Sequence, residues 1–171
     1  MPGQPNTVLF WHKQALQDKS NEISAIPALL ELLDIQGCIV TLDAIGTQKE
    51  IARQIQSAQA DYILTLKANH PTLFQQVDSW LQTARANGTL PTPCERTTEA
   101  GHHRTEIRQV WTVSIDLFPS LHQADQWAGL QTIVVVERTP CLNLYKCGQP
   151  STKVLVSGRV VTSIKRLSTF V

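Results

Sequence analysis

Two short stretches place a charged side chain where an apolar run ends. In CIVTLDAIG, Cys38 to Gly46, the run stops at Asp43 and a glycine follows three residues later. In DYILTLKANH, Asp61 to His70, a second run stops at Lys67. In open α/β sheets the functional crevice lies at the carboxyl ends of the strands. If these are parallel neighbours, Asp43 and Lys67 meet on one rim. There a carboxylate commonly holds Mg2+ and a lysine meets phosphate. An aspartate in this position also serves as a helix cap, accepting from the amides of the next turn. Spacing alone leaves both roles open.

Three chemistries use such an aspartate. A phosphoacceptor receiver domain needs further acidic residues near the first strand, and MPGQPNTVLFW has none. A phosphatase of the haloacid dehalogenase type needs a second aspartate two residues on, where Ile45 stands. A two-metal nuclease or strand-transferase needs carboxylates from several elements, holding two Mg2+ ions beside the scissile phosphate. Other metal sites are poorly supported. His102 and His103 are adjacent and point apart on an extended chain. Cys38, Cys94, Cys141 and Cys147 form no CxxC pair and are expected as buried thiols.

The elements that must position these residues alternate. TVLFWHKQAL reads as a strand. SNEISAIPALLELLD reads as a helix, capped by Ser20 or Asn21, with Ile26, Leu29, Leu30 and Leu33 at helical spacing. Pro27 is placed near the start of that helix and Gly37 at its end. CIVTL is a short buried strand, TQKEIARQIQSAQA a helix with Ile51 and Ile55 inward, and DYILTLKA another buried strand. HPTLFQQVDSWLQTARANG is a helix, with Pro71 in its first turn and Gly88 as its stop. Residues 7–88 therefore read β-α-β-α-β-α, the pattern of a parallel or mixed sheet flanked by helices.

After Gly88 the texture changes. TLPTPCERTTEAGHH is a polar loop. RTEIRQVWTVSI alternates, with Thr105, Ile107, Gln109 and Trp111 on one face and Glu106, Arg108, Val110 and Thr112 on the other. It reads as a more exposed strand. LQTIVVVERT is another strand, and TKVLVSGRVVTSI gives one or two more. The second half is expected to extend the sheet in antiparallel fashion.

Hydrophobic residues make up 42% of the 171 and charged residues 17%, enough for a packed core and against wholesale disorder. No run suits a membrane span and no signal peptide is evident, so a cytoplasmic protein without a membrane partner is expected. The net charge of +1 hides an asymmetry. Residues 1–137 carry 9 basic and 14 acidic side chains, whereas residues 138–171 carry 6 basic and no acidic ones. A basic tail can bind nucleic acid through phosphates, or simply be a solvated terminus.

DKSNEISAIPALLELLDIQGCIVTLDAIGTQKEIARQI resembles the H-repeat-associated, IS-As-type family of bacterial insertion-sequence transposases. So do ADYILTLKANHPTLFQQV, GHHRTEIRQVW and WAGLQTIVVVERT. The likeness covers roughly residues 15–139. It implies a ribonuclease-H-like α/β core and DDE chemistry, in which two Asp and one Glu hold two Mg2+ or Mn2+ ions for attack on DNA phosphate. TLDAIG matches the segment with the second family aspartate, so Asp43 inherits the catalytic and metal-binding role. Lys67 and Asn69 match a segment close to the active site, implying contact with DNA or transition-state charge, with strand-end packing as the alternative. HHRTEIR matches the start of a β-rich insertion. Its His102, Arg104, Glu106 and Arg108 are candidates for DNA binding or support of the site, with a cross-strand ion-pair ladder as the alternative.

Set against the family, the first aspartate and its strand, and the third acid and its helix, find no match in this chain. The expected layout is a partial ribonuclease-H-like core over 1–90, a β-rich insertion over 91–139 and a divergent basic tail over 140–171. That tail fits a frameshifted or decayed end, and the other two reading frames of the coding DNA would test the frameshift. The expectation is a DDE transposase fragment, inactive alone, whose partners are transposon-end DNA and a second copy or a full-length transposase. The alternative is a non-catalytic DNA-binding or dominant-negative regulator. A further alternative is a non-functional remnant.

Overall fold

The computed structural model describes residues 8–10, 19–67, 69–101, 104–143 and 146–158. The first half alternates as its sequence pattern requires. Strand β1 (Val8–Phe10) leads to helix α1 (Lys19–Leu32), then β2 (Ile39–Leu42), α2 (Lys49–Ser57), β3 (Asp61–Leu66) and α3 (Pro71–Ala86). Strands follow: β4 (Glu95–Gly101), β5 (Arg104–Ser114), β6 (Thr132–Asn143), β7 (Lys146–Cys147) and β8 (Ser151–Ser157).

All eight join one mixed sheet in the order β1-β2-β3-β8-β6-β5-β4, with β7 paired to β6. β1, β2 and β3 are parallel, with Thr41 beside Ile63 and Leu42 beside Leu64. The other pairings are antiparallel. β8 is the hinge of the topology, because it lies between the parallel half and the antiparallel half. Part of the basic tail is thus a central strand, and the solvated-terminus alternative does not hold for Ser151–Ser157. Arg159, Lys165 and Arg166 lie outside the described residues.

The two faces of the sheet differ. Tyr62, Leu64, Leu66, Val154, Val156, Ile133, Val135, Trp111 and Val113 pack with the inner faces of the helices. α2 contributes Ile51, Ala52 and Ile55, and α3 contributes Leu73, Val77 and Leu81, each set at helical spacing. Each large side chain buried here contributes roughly 1.5–3 kcal/mol relative to exposure. A second cluster, Ile63, Leu155, Val134, Val136 and Val110 with Ile39, lies on the opposite face. No described helix contributes to it.

Several expectations need correction. Helix α1 begins at Lys19, so Ser20 and Asn21 lie within it and Pro27 is interior. Pro27 cannot donate to the preceding turn, while its carbonyl accepts from Gln54 Nε2 at 2.8 Å, tying α1 to α2. Leu33 lies beyond the helix and is 42% exposed, because Leu30 and Ile26 already fill the contact with the core. Gly37 does not end α1, which stops at Leu32; it makes the turn into β2 with φ +72°. β5 is not the exposed strand its alternation implied. It sits between β4 and β6, and both Val110 and Trp111 are buried. The cysteines are not four buried thiols. Cys141 and Cys147 form a disulfide across β6 and β7, Cys38 is half-buried and Cys94 is exposed.

Candidate functional site

Asp43 follows the last residue of β2 and Lys67 follows the last residue of β3. The parallel pairing carries both chains to the same rim, as the sequence implied. Lys67 Nζ lies 3.5 Å from Asp43 Oδ1. Both side chains are mostly exposed. Asp43 precedes a short 3-10 turn, Ala44–Gly46, but its side chain makes no capping hydrogen bond. The carboxylate is therefore left to face the rim. Its pKa is lowered, first by the amide of Ala44; burial, the next cause, opposes this, while Lys67 and, more weakly, Lys153 lower it further.

Asn69 fixes the loop beyond β3. Its Oδ1 accepts from the Lys67 amide at 3.0 Å, and its Nδ2 donates to the carbonyls of Ala44 at 2.8 Å and Thr47 at 3.2 Å. It thus fastens the Lys67 turn to the Asp43 turn. His70 adds a second tie through Nε2, 2.9 Å from the Thr47 carbonyl, and its ring meets Trp127 edge-on. Asn69 therefore holds the two turns of the rim together through backbone hydrogen bonds.

The rim continues across β8 and β6. Leu66 pairs with Val154, so Lys153 stands one step further, beside Lys67. Val136 pairs with Lys153 and Arg138 with Ser151. Lys67, Arg138 and Lys153 line an open groove of about 550 Å³, together with Leu66, Phe74 and Val136. Burial pushes the Lys153 ammonium pKa down, and Lys67 and Arg138 push it the same way, while Asp43 opposes them. The sequence counted Lys153 and Arg138 only as tail charge. What could have singled them out is their place next to VLVS and TIVVVE, two strand-forming runs.

Glu106 and Arg108 form a neighbouring cluster on β5. Glu106 Oε1 lies 3.7 Å from Arg108 Nη2 and 3.9 Å from Arg138 Nε. The register sets Arg108 beside Arg138. The Glu106–Arg138 pair crosses from β5 to β6, and through Arg138 the cluster abuts the groove. Arg104 pairs with Gly101 through the backbone. His102 lies outside the described residues.

The divalent metals that the resemblance implies need several hard donors close together. Among the described residues no three His, Cys, Asp or Glu side chains stand close enough to hold a metal ion. The charges acting on Asp43 are two ammonium groups, which compete with a cation for its carboxylate. These residues do not fit a two-metal site, and they do fit an anion.

No family model matches the chain. It is 39% identical over 137 residues to an uncharacterized protein in the dhlA 3' region of Xanthobacter autotrophicus, covering 80% of this chain and 45% of that protein. It is 40% identical over 120 residues to the H repeat-associated putative transposase YhhI of Escherichia coli K12, covering 69% and 31%. It is 53% identical over 55 residues to the H repeat-associated putative transposase YbfD of the same strain, covering 32% and 22%. The chain spans less than half the length of the curated relatives it matches. These relatives define the class. The chain belongs to the H-repeat-associated transposase family.

Proposed function

We propose that the chain works in DNA transposition as part of a DDE transposase with a ribonuclease-H-like core, and that its rim receives DNA phosphates. Asp43 is the second family aspartate in this reading. One observation carries it: Asp43 and Lys67 meet at the carboxyl ends of parallel strands, and Lys153 and Arg138 extend that rim with positive charge. Charge of this kind fixes a polyanion by its backbone. Because the described donors do not fit two metal ions, no cleavage step is assigned to this chain by itself. The excess of cations over carboxylates favours binding over cutting, which also supports the reading as a DNA-binding partner of a full-length transposase.

The test is to incubate the purified chain with labelled transposon-end duplex in Mg2+ or Mn2+, scoring binding and nicking together, with Asp43→Ala as control. Binding that falls steeply with salt, without nicking, is expected. Asp43-dependent nicking would overturn the assignment of inactivity. A chain that binds no DNA at low salt would overturn the whole reading.

A further inference from the structure

The groove beside Asp43 is more than a charged rim. Its mouth carries Lys67, Lys153 and Arg138, but it is also lined by Leu66, Pro71 and Phe74 from the helix-covered side and by Val136 from the opposite face. Two of these, Leu66 and Val136, are core residues with almost no exposure. Phe74 is half-buried and packs partly on the core, so the rest of its ring is free to line the groove. At about 550 Å³ the space falls among pockets that enclose small organic ligands, about 300–1,000 Å³.

A duplex presents phosphates and groove edges, while its bases stay stacked inside. It would engage the cations and leave the apolar wall without a partner. A single strand offers a phosphate and an unstacked base together, which aromatic and apolar walls accept without regard to sequence. The cations themselves call for an anion. Lys153 lies between Lys67 and Arg138, half-buried, where water screens mutual repulsion less well. Asp43 and Glu106 partly balance the two outer cations from beyond the groove lining.

We propose that this groove is a binding site for one nucleotide unit of single-stranded nucleic acid, with its phosphate on Lys67, Lys153 and Arg138 and its base against Pro71 and Phe74. The inference rests on the nucleic-acid reading above and deepens it: the ligand is an unpaired strand, and the site includes residues of β6 and β8.

The test compares a labelled eight-residue oligothymidylate with a hairpin duplex of equal phosphate number, by fluorescence anisotropy across a salt series. The oligothymidylate is expected to bind about tenfold tighter than the duplex. The one phosphate held by the three cations contributes a salt slope of about −0.7 for a single strand, and Lys153→Gln or Arg138→Gln is each expected to weaken binding severalfold and flatten that slope. Phe74→Leu keeps an apolar side chain and is expected to weaken oligothymidylate binding severalfold with the slope unchanged. Circular dichroism of each variant checks that it folds. Duplex binding as tight as single-strand binding would overturn this inference and leave the DNA reading standing. So would full single-strand affinity in the folded Lys153→Gln and Phe74→Leu variants. Failure of the chain to bind either DNA would overturn both.

Discussion

Lys67 holds its ammonium 3.5 Å from the Asp43 carboxylate, although 24 residues separate them in the chain. The parallel register of β2 and β3 creates the contact. Because the Asp43 pKa is lowered in the fold, its ionised form stabilises the protein above the ordinary value of 3.8. That contribution is lost as pH falls through the lowered value. Lys67→Met is expected to move the Asp43 pKa upward but not fully to the ordinary value, since the larger cause, the Ala44 amide, remains. A carboxyl chemical-shift titration of wild type and variant measures this. An unchanged Asp43 titration would show that the ammonium has no influence at this distance.

A second ion pair joins the helical layer to the sheet. Arg85, in the last turn of α3, donates to Glu137 of β6, and Thr152 Oγ1 donates to the same carboxylate oxygen at 3.3 Å. Glu137 is 7% exposed, so removing its partner strands a charge in a poorly solvated place. Arg85→Met is expected to cost about 2–4 kcal/mol in urea unfolding, somewhat below the loss for a fully buried pair because Arg85 is partly exposed. Adding Glu137→Gln should restore part of that loss. Equal midpoints for wild type and Arg85→Met would mean the pair contributes nothing.

The alternating first half was legible because short apolar runs, Pro71 and Gly88 each carry a local physical signal. Asp43 and Lys67 could be placed on one rim for the same reason: strand ends can be read from the chain, and parallel pairing follows from alternation. Other features depend on partners distant in sequence. Nothing local tells that β8 inserts between β3 and β6, so Lys153 could not be brought beside Lys67. Val110 and Trp111 alternate like residues of a half-exposed strand, and only the neighbours of β5 bury both. Pro27 is expected near the helix start because a first turn tolerates its missing N–H, yet the helix begins eight positions earlier at Lys19. The pairing of Cys141 with Cys147 depends on the β6–β7 register, which their spacing does not specify.

Gly46 makes the turn after Asp43 possible. It is buried, and a Cβ added there would lie 2.9 Å from Ile26 Cδ1 and 3.2 Å from Leu42 Cβ. The end of the Ile26 side chain can move, but Leu42 Cβ is fixed to the β2 backbone. Gly46→Ala is therefore expected to destabilise the fold by about 1–3 kcal/mol, as overpacking does. It should also shift the amide resonances of Asp43 and Ala44, because the turn that aims the carboxylate must yield. A melting temperature equal to wild type would show that α1 gives way without cost.

The disulfide predicts a defined pattern of thiol reactivity. Cys141 and Cys147 are direct partners across β6 and β7, and Cys141 is 1% exposed. Without reductant, maleimide labelling of the folded chain is expected to modify two of the four cysteines, the exposed Cys94 before the half-buried Cys38. After reduction under native conditions Cys147 becomes reactive while Cys141 stays protected by its burial. Reduction together with denaturant exposes all four. Closing a short loop restricts the unfolded chain by about 2 kcal/mol, so Cys147→Ser is expected to lower the unfolding free energy by about that amount. Mass spectrometry counts the labels and identifies their positions. Four labelled cysteines in unreduced protein would show that β6 and β7 are held by backbone pairing alone.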